Sequence, residues 1–141
     1  MSISSLALRT TNLTITQAQW ELRTAAAGRP RVLELSMIQA TATAQSIGLG
    51  RPQAIGLTPV NVLFQTDDPG DPASAQNASL SWGTSPTVPL IFHRRWNSAG
   101  TIGVGIVWTF PRGLVIPVSF SIVIWNITAG IASDVNCALD E

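Results

Sequence analysis

The chain has 141 residues, with eight arginines, no lysine, eight carboxylates and one histidine, so its formal net charge is zero. That length suits one domain able to bury a core without staples, and the single cysteine, Cys137, excludes an internal disulfide. Charged residues make up 11%, about half the fraction of an ordinary soluble domain, so the surface is either neutral-polar or covered in a permanent oligomer, and the charge deficit favours the oligomer.

No stretch reaches the roughly 18–20 apolar residues of a spanning helix. The longest, 113–127, is broken by Pro117, Ser119 and Ser121, so no membrane partner is expected. The start, Met1 to Leu6, lacks a basic region followed by an apolar run, so no secretory signal is read there. The arginines are scattered, with only Gly28-Arg29-Pro30-Arg31 and His93-Arg94-Arg95 as local groups. A phosphate-binding surface needs a stripe of positive charge, and nucleic acid is not an expected partner.

Residues 1–28 read as an extended N-terminal arm, with Leu13, Ile15, Trp20 and Leu22 alternating with polar neighbours, and Ala25–Ala27 as the alternative end of a short helix. Residues 29–141 read as the folded domain. From Arg31 to Gln45 a long strand switches its apolar parity from Leu33, Leu35 and Met37 to Ile38, Ala40, Ala42 and Ala44, as a β-bulge would do. Gly48 to Pro52 is predicted to turn the chain. Val60, Val62 and Phe64 form the next strand, followed by the turn-rich Asp67-Asp68-Pro69-Gly70-Asp71-Pro72. Ala78, Leu80 and Trp82 alternate, then Val88, Leu90 and Phe92.

Three strands follow back to back. The first alternates at Ile102, Val104, Ile106, Trp108 and Phe110, and 111–117 reads as a corner. Val118 to Ile127 is apolar on both faces, with Phe120, Ile122 and Ile124 opposite Val123, Trp125 and Ile127. The third alternates from Ile131 to Leu139. About eight strands with turns every ten or so residues and no long helix predict an all-β fold. The expected architecture is a single antiparallel β-sandwich, jelly-roll-like first and immunoglobulin-like second.

No residue set suggests catalysis. His93 has no nucleophile elbow to serve, a lone histidine cannot build a zinc site, and Glu21, Glu34 and Asp134 form no evident acid pair. The Asp67–Asp71 cluster lacks the ligand spacing of a calcium loop and reads as a solvated turn. An enzyme is therefore not expected, nor any metal or cofactor. Cys137 lies on the apolar parity of its strand and reads as a buried thiol.

A strand with two apolar faces needs cover on both. Phe120, Ile122 and Ile124 are expected to close the core, and Val123, Trp125 and Ile127 to meet another subunit. Trp20 and Leu22 of the arm are expected at a contact with a partner surface. Arg94 and Arg95 are expected to reach carboxylates of a neighbouring subunit. Trp96, in a polar turn, is the candidate for stacking on a sugar ring.

The phrases Gly48-Leu-Gly-Arg-Pro52, Val62-Leu-Phe-Gln65, Asp68-Pro-Gly-Asp-Pro-Ala73, Leu80-Ser-Trp-Gly-Thr84 and Trp108-Thr-Phe-Pro-Arg-Gly-Leu-Val-Ile-Pro117 resemble small β-sandwich structural proteins of tailed bacteriophage virions. The similarity is one of style over the last hundred or so residues, and no active site carries over. It implies a capsid decoration (cement) protein, a homotrimer made in the host cytoplasm and bound to the major capsid protein on the virion surface. The alternative is a carbohydrate- or receptor-binding module of a phage spike or fibre.

Overall fold

A computed structural model describes residues 2–141, which contain strands and loops and no helix. The strands are β1 (Ile3–Arg9), β2 (Ala18–Arg23), β3 (Arg31–Gln39), β4 (Ser46–Pro52), β5 (Leu57–Leu63), β6 (Gln65–Thr66), β7 (Asn77–Thr84), β8 (Pro89–Asn97), β9 (Gly105–Val115), β10 (Ser121–Asn126) and β11 (Ser133–Asp140). They form two antiparallel sheets in the orders β6-β1-β11-β3-β9 and β5-β7-β2-β10-β4-β8. The expected β-sandwich is present, with eleven strands rather than about eight.

Period-2 patterning explains which side chains meet between the sheets. In β11, Val135, Cys137 and Leu139 point inward while their neighbours are half-exposed. From the first sheet they join Val32, Leu35, Met37 and Trp108, and from the second Trp20, Leu22, Ile47, Leu49, Ile122 and Ile124. Burying each large apolar side chain contributes about 1.5–3 kcal/mol, and this shared layer is what holds the sheets face to face.

The N-terminal segment is not an arm. β1 lies between β6 and β11, and β2 lies between β7 and β10, so each is an interior strand of its sheet. Trp20 is 1% exposed and Leu22 is fully buried. Both face the core, which corrects their assignment to a partner contact. Alternation over a few residues marks a half-buried strand without saying which sheet buries it, and that ambiguity produced the error.

Other boundaries moved for local reasons. Gly48 to Pro52 is strand, not turn, and runs as β4 between β10 and β8. Its glycines serve close packing: a Cβ on Gly48 would collide with the Phe92 ring, and one on Gly50 would meet Pro89 and the Ile91 carbonyl. The expected corner at 111–117 is largely an irregular stretch inside β9, where Gly113 at φ +69° lets the chain kink while pairing with β3 resumes at Leu114. The parity switch in β3 falls at Leu33 rather than later. Val32, Leu35 and Met37 all reach the core, Ile38 faces out at 43% exposed, and the strand stops at Gln39.

One end of the sandwich is fastened by buried amides that alternation cannot reveal. Gln45 Oε1 accepts from Gln19 Nε2 and from the Ile131 N–H, both at 3.0 Å, and Gln45 Nε2 donates to Ser133 Oγ at 3.0 Å. Gln39 Nε2 donates to the Thr41 and Thr43 carbonyls at 2.7 and 2.6 Å, and Ser98 Oγ donates to Gln39 Oε1 at 2.7 Å. Pairing of this kind offsets the cost of burying amides, although Gln19 Oε1 is left without a partner, and the network locks three loops together.

Glu141 closes the other flank. Its backbone exchanges two hydrogen bonds with Ser2, and its carboxylate accepts from Ser4 Oγ and Gln76 Nε2. Burial alone would raise this carboxyl, but hydrogen bonds from Ser4, Ser74, Gln76 and the Ala75 backbone hold its pKa below the ordinary 4.5. A depressed folded-state pKa means the stabilisation is complete above about 4.5 and is lost as pH falls through the lower folded value. Glu141→Gln should therefore lower the urea midpoint at pH 7, and the difference should shrink as the pH is taken below 4.5 and through the lowered folded-state value. Since the group is partly solvated, the gap should stay below about 1 kcal/mol. Parallel stability curves for the two proteins across this range would refute the assignment.

Candidate assembly surface

β10 sits mid-sheet, and all six of its residues are buried. Ile122 and Ile124 enter the main core as expected, whereas Phe120 lies just before β10, half-buried, and is not part of it, because the strand begins only at Ser121. On the opposite face Val123 is fully buried and Trp125 is 7% exposed, and with Ala18 they form a second apolar cluster. Its cover comes from the same chain, through the half-buried Trp82, Phe92 and Ile127. Trp125, Val123 and Ile127 are therefore not the free subunit interface that the two-faced pattern suggested.

Two local devices produce this cover. Between Pro59–Trp82 and Asn61–Ser79 the β5–β7 ladder slips by one residue, and the bulge turns Trp82 to the outer face although it shares parity with the inward Ala78. Phe92 lies across Gly48, the residue paired with Trp125, where any side chain would displace it. The 53–56 loop adds a strap. Ala54 exchanges backbone and side-chain hydrogen bonds with Thr87, and the Gly56 N–H donates to Glu21 Oε1 at 3.3 Å. Glu21 is fully buried under this strap, with Arg23 Nε 3.8 Å from the same carboxylate oxygen.

The exposed apolar residues lie elsewhere. β5 and β8 are the two edges of the second sheet. β5 is exposed along nearly its whole length and carries Leu57, Val60, Val62 and Leu63 without a charge. Just before and at the start of β8, Val88, Leu90 and Ile91 are 45%, 80% and 74% exposed. Beside them is a groove of about 240 Å³ lined by Arg51, Pro52, Gln53, Leu90, Ile91 and His93. These edges were not singled out from the sequence, where Val60, Val62 and Val88, Leu90 fit simple alternation. The adjacent pair Leu90-Ile91 was the available signal, because neighbouring residues in a strand cannot both face one core.

Arg94 and Arg95 lie on this edge and are exposed, as a contact role requires. Each guanidinium rests near an aromatic ring, Arg94 at 5.0 Å from Phe110 and Arg95 at 5.8 Å from Phe92. Among the described residues the ion pairs are Arg9–Asp134 and Arg23–Glu21, so neither arginine pairs with a carboxylate of its own chain. His93 is held by Arg51, with 3.0 Å between Arg51 Nη1 and His93 Nε2, while Arg51 Nη2 donates to the Val115 carbonyl at 2.8 Å. Burial, and then the charges of Arg51 and Arg94, push the imidazole pKa below its ordinary 6.5.

The remaining candidates have ordinary structural duties. Trp96 pairs with Ile47 and packs half-buried on the main core, so it does not offer an exposed stacking platform. Cys137 is buried, and burial pushes its thiol pKa far up. Asp68 accepts the Gly70 N–H at 2.8 Å, and Asp67 accepts Ser5 Oγ at 2.6 Å, as turn carboxylates do. An open hollow of about 510 Å³ lies on the outer face of the first sheet between Ser5, Glu34, Gln65, Asp67 and Asn136. Among the described residues no three metal-ligating side chains cluster, and no helix is long and apolar enough to cross a membrane. Comparison with known protein families, characterised proteins and solved structures returns no match for the chain.

Proposed function

We propose that this chain is a structural virion protein, a capsid decoration (cement) protein that self-associates as a trimer and binds the major capsid protein on the outside of a phage head. The observation that carries an assembly role is the pair of exposed apolar edges, β5 and β8, on a sheet whose central strand β10 is covered on both faces. Contiguous exposed apolar surface marks a contact site, and this chain has little charge elsewhere to offset it. The virion assignment rests on the resemblance carried by Gly48–Pro52, Asp68–Ala73 and Trp108–Pro117.

The chain winding supports the jelly-roll reading over the immunoglobulin-like one. With β5, β6 and β7 set aside, the sheets reduce to β1-β11-β3-β9 and β2-β10-β4-β8, and consecutive strands alternate between them except at the β4–β8 step, which stays in the second sheet as one connection of a jelly roll does. A fold tied at both ends suits a protein that must resist internal pressure rather than move.

Incubated with capsids encoded by the same genome, the protein should co-sediment at a fixed ratio to the coat subunit and raise the temperature at which particles open. Capsids that sediment without it at micromolar concentrations would sink the proposal. Specific glycan-array binding abolished by Trp96→Ala would favour the carbohydrate-binding alternative, for which the packing of Trp96 gives no support.

A further inference from the structure

We infer that β5 of one copy docks on β8 of the next, joining copies head to tail into a closed ring through the edges of the second sheet. The inference rests on the self-association proposed above, and not on attachment to a capsid.

Strand direction makes this pairing compatible with a ring. Every neighbouring pair in the six-stranded sheet is antiparallel, so its first and last strands, β5 and β8, run in opposite directions. In a ring whose axis runs along the strands, β8 of one copy therefore meets β5 of the next antiparallel, and the alternation continues from copy to copy. The same orientation brings the end of β5, with Val62 and Leu63, beside the start of β8, with Leu90 and Ile91. Arg94 and Arg95 then lie towards the Leu57 end, which carries no positive charge to repel them.

Surface area points the same way. At the exposures observed, the seven apolar residues Leu57, Val60, Val62, Leu63, Val88, Leu90 and Ile91 present roughly 700 Å² in all, about half of what a standard interface buries. The groove beside Leu90 and Ile91 can receive an aliphatic side chain such as Leu63. Pro59 in β5 lacks an N–H and Pro89 begins β8, so each weakens its edge as a ladder template and leaves side-chain burial as the main attraction. A heterologous contact of this kind either closes or grows into fibres, and a discrete particle component requires closure.

The test uses one charge on each edge, Val60→Arg on β5 and Leu90→Arg on β8, at positions 65% and 80% exposed, with unchanged circular dichroism as the folding control. Leu63→Glu and Ile91→Glu provide a second pair should either arginine variant fail to fold. By native mass and sedimentation, the parent should form one closed oligomer. Each variant alone should fall to monomer, its self-association weakened at least about 30-fold. An equimolar mixture of the two should form a heterodimer of two chains, because each variant retains the edge that the other has lost.

A parent that is monomeric at about 100 µM would overturn the inference. So would a variant that keeps the parent mass, or a mixture that yields no heterodimer. Capsid sedimentation is scored separately, so failure to bind capsids counts against decoration and leaves the ring result standing.

Discussion

Trp20→Ala should destabilise the protein by about 3–5 kcal/mol, a large share of the roughly 5–15 kcal/mol that holds an ordinary domain folded. Trp20 is 1% exposed on β2, with β7 on one side and β10 on the other, and its ring belongs to the layer shared by both sheets. Truncation to alanine would leave a cavity that two hydrogen-bonded neighbouring strands cannot collapse to fill. Deleting residues 2–24 should be worse still. It removes β1 and β2 together, one interior strand from each sheet, and exposes the ladders of β11, β7 and β10. The expected result is a chain without a cooperative urea transition. A truncated protein that kept its strand signal and melted within a few degrees of the parent would return this segment to the role of a detachable arm.

Trp125→Arg is the second large effect. The ring is 7% exposed beneath Trp82, Phe92 and Ile127, and its neighbours Ala18 and Val123 are fully buried. A guanidinium forced into this cluster would be buried beneath apolar rings, and the neighbouring carboxylate, Glu21 across from Val123, is already approached by Arg23 and the Gly56 N–H through its Oε1. An uncompensated buried charge costs about 3–5 kcal/mol. The variant should therefore lose stability at every protein concentration, with a lower urea midpoint, whatever its oligomeric state. Leu90→Arg, on a side chain 80% exposed, should stay within about 0.5 kcal/mol of the parent in monomer stability. A Trp125→Arg protein that was monomeric yet as stable as the parent would mean that this face meets another subunit after all.

The contrast between these two positions separates what pattern can reveal from what it cannot. Ile122 and Ile124 were legible as core, and Val123 and Trp125 as needing cover, because a strand sends successive side chains to opposite faces. The identity of the cover was not legible. It depends on a bulge at the Pro59–Asn61 step that reverses Trp82, and on Gly48 being bare enough for Phe92 to lie over it. Arg94 and Arg95 were legible as surface residues, and they are exposed on β8. Trp96 was misread as a loop ring, since nothing local distinguishes a turn from the last turnward residues of an edge strand.

Composition and alternation by themselves determined an all-β sandwich, a buried Cys137, a shortage of surface charge and a strand with two apolar faces. These are properties of single strands, governed by side-chain period and by the transfer of apolar groups from water. Tertiary structure alone decided that residues 3–9 and 18–23 are interior strands rather than an arm, and that β10 is covered by its own chain. It also decided that both edges of the second sheet, β5 and β8, expose apolar side chains. Which strand pairs with which, and which strands are left at the edges, depends on contacts between residues as far apart as Leu6 and Cys137. No local period encodes such pairings, and the edges are what remains when they have all been made.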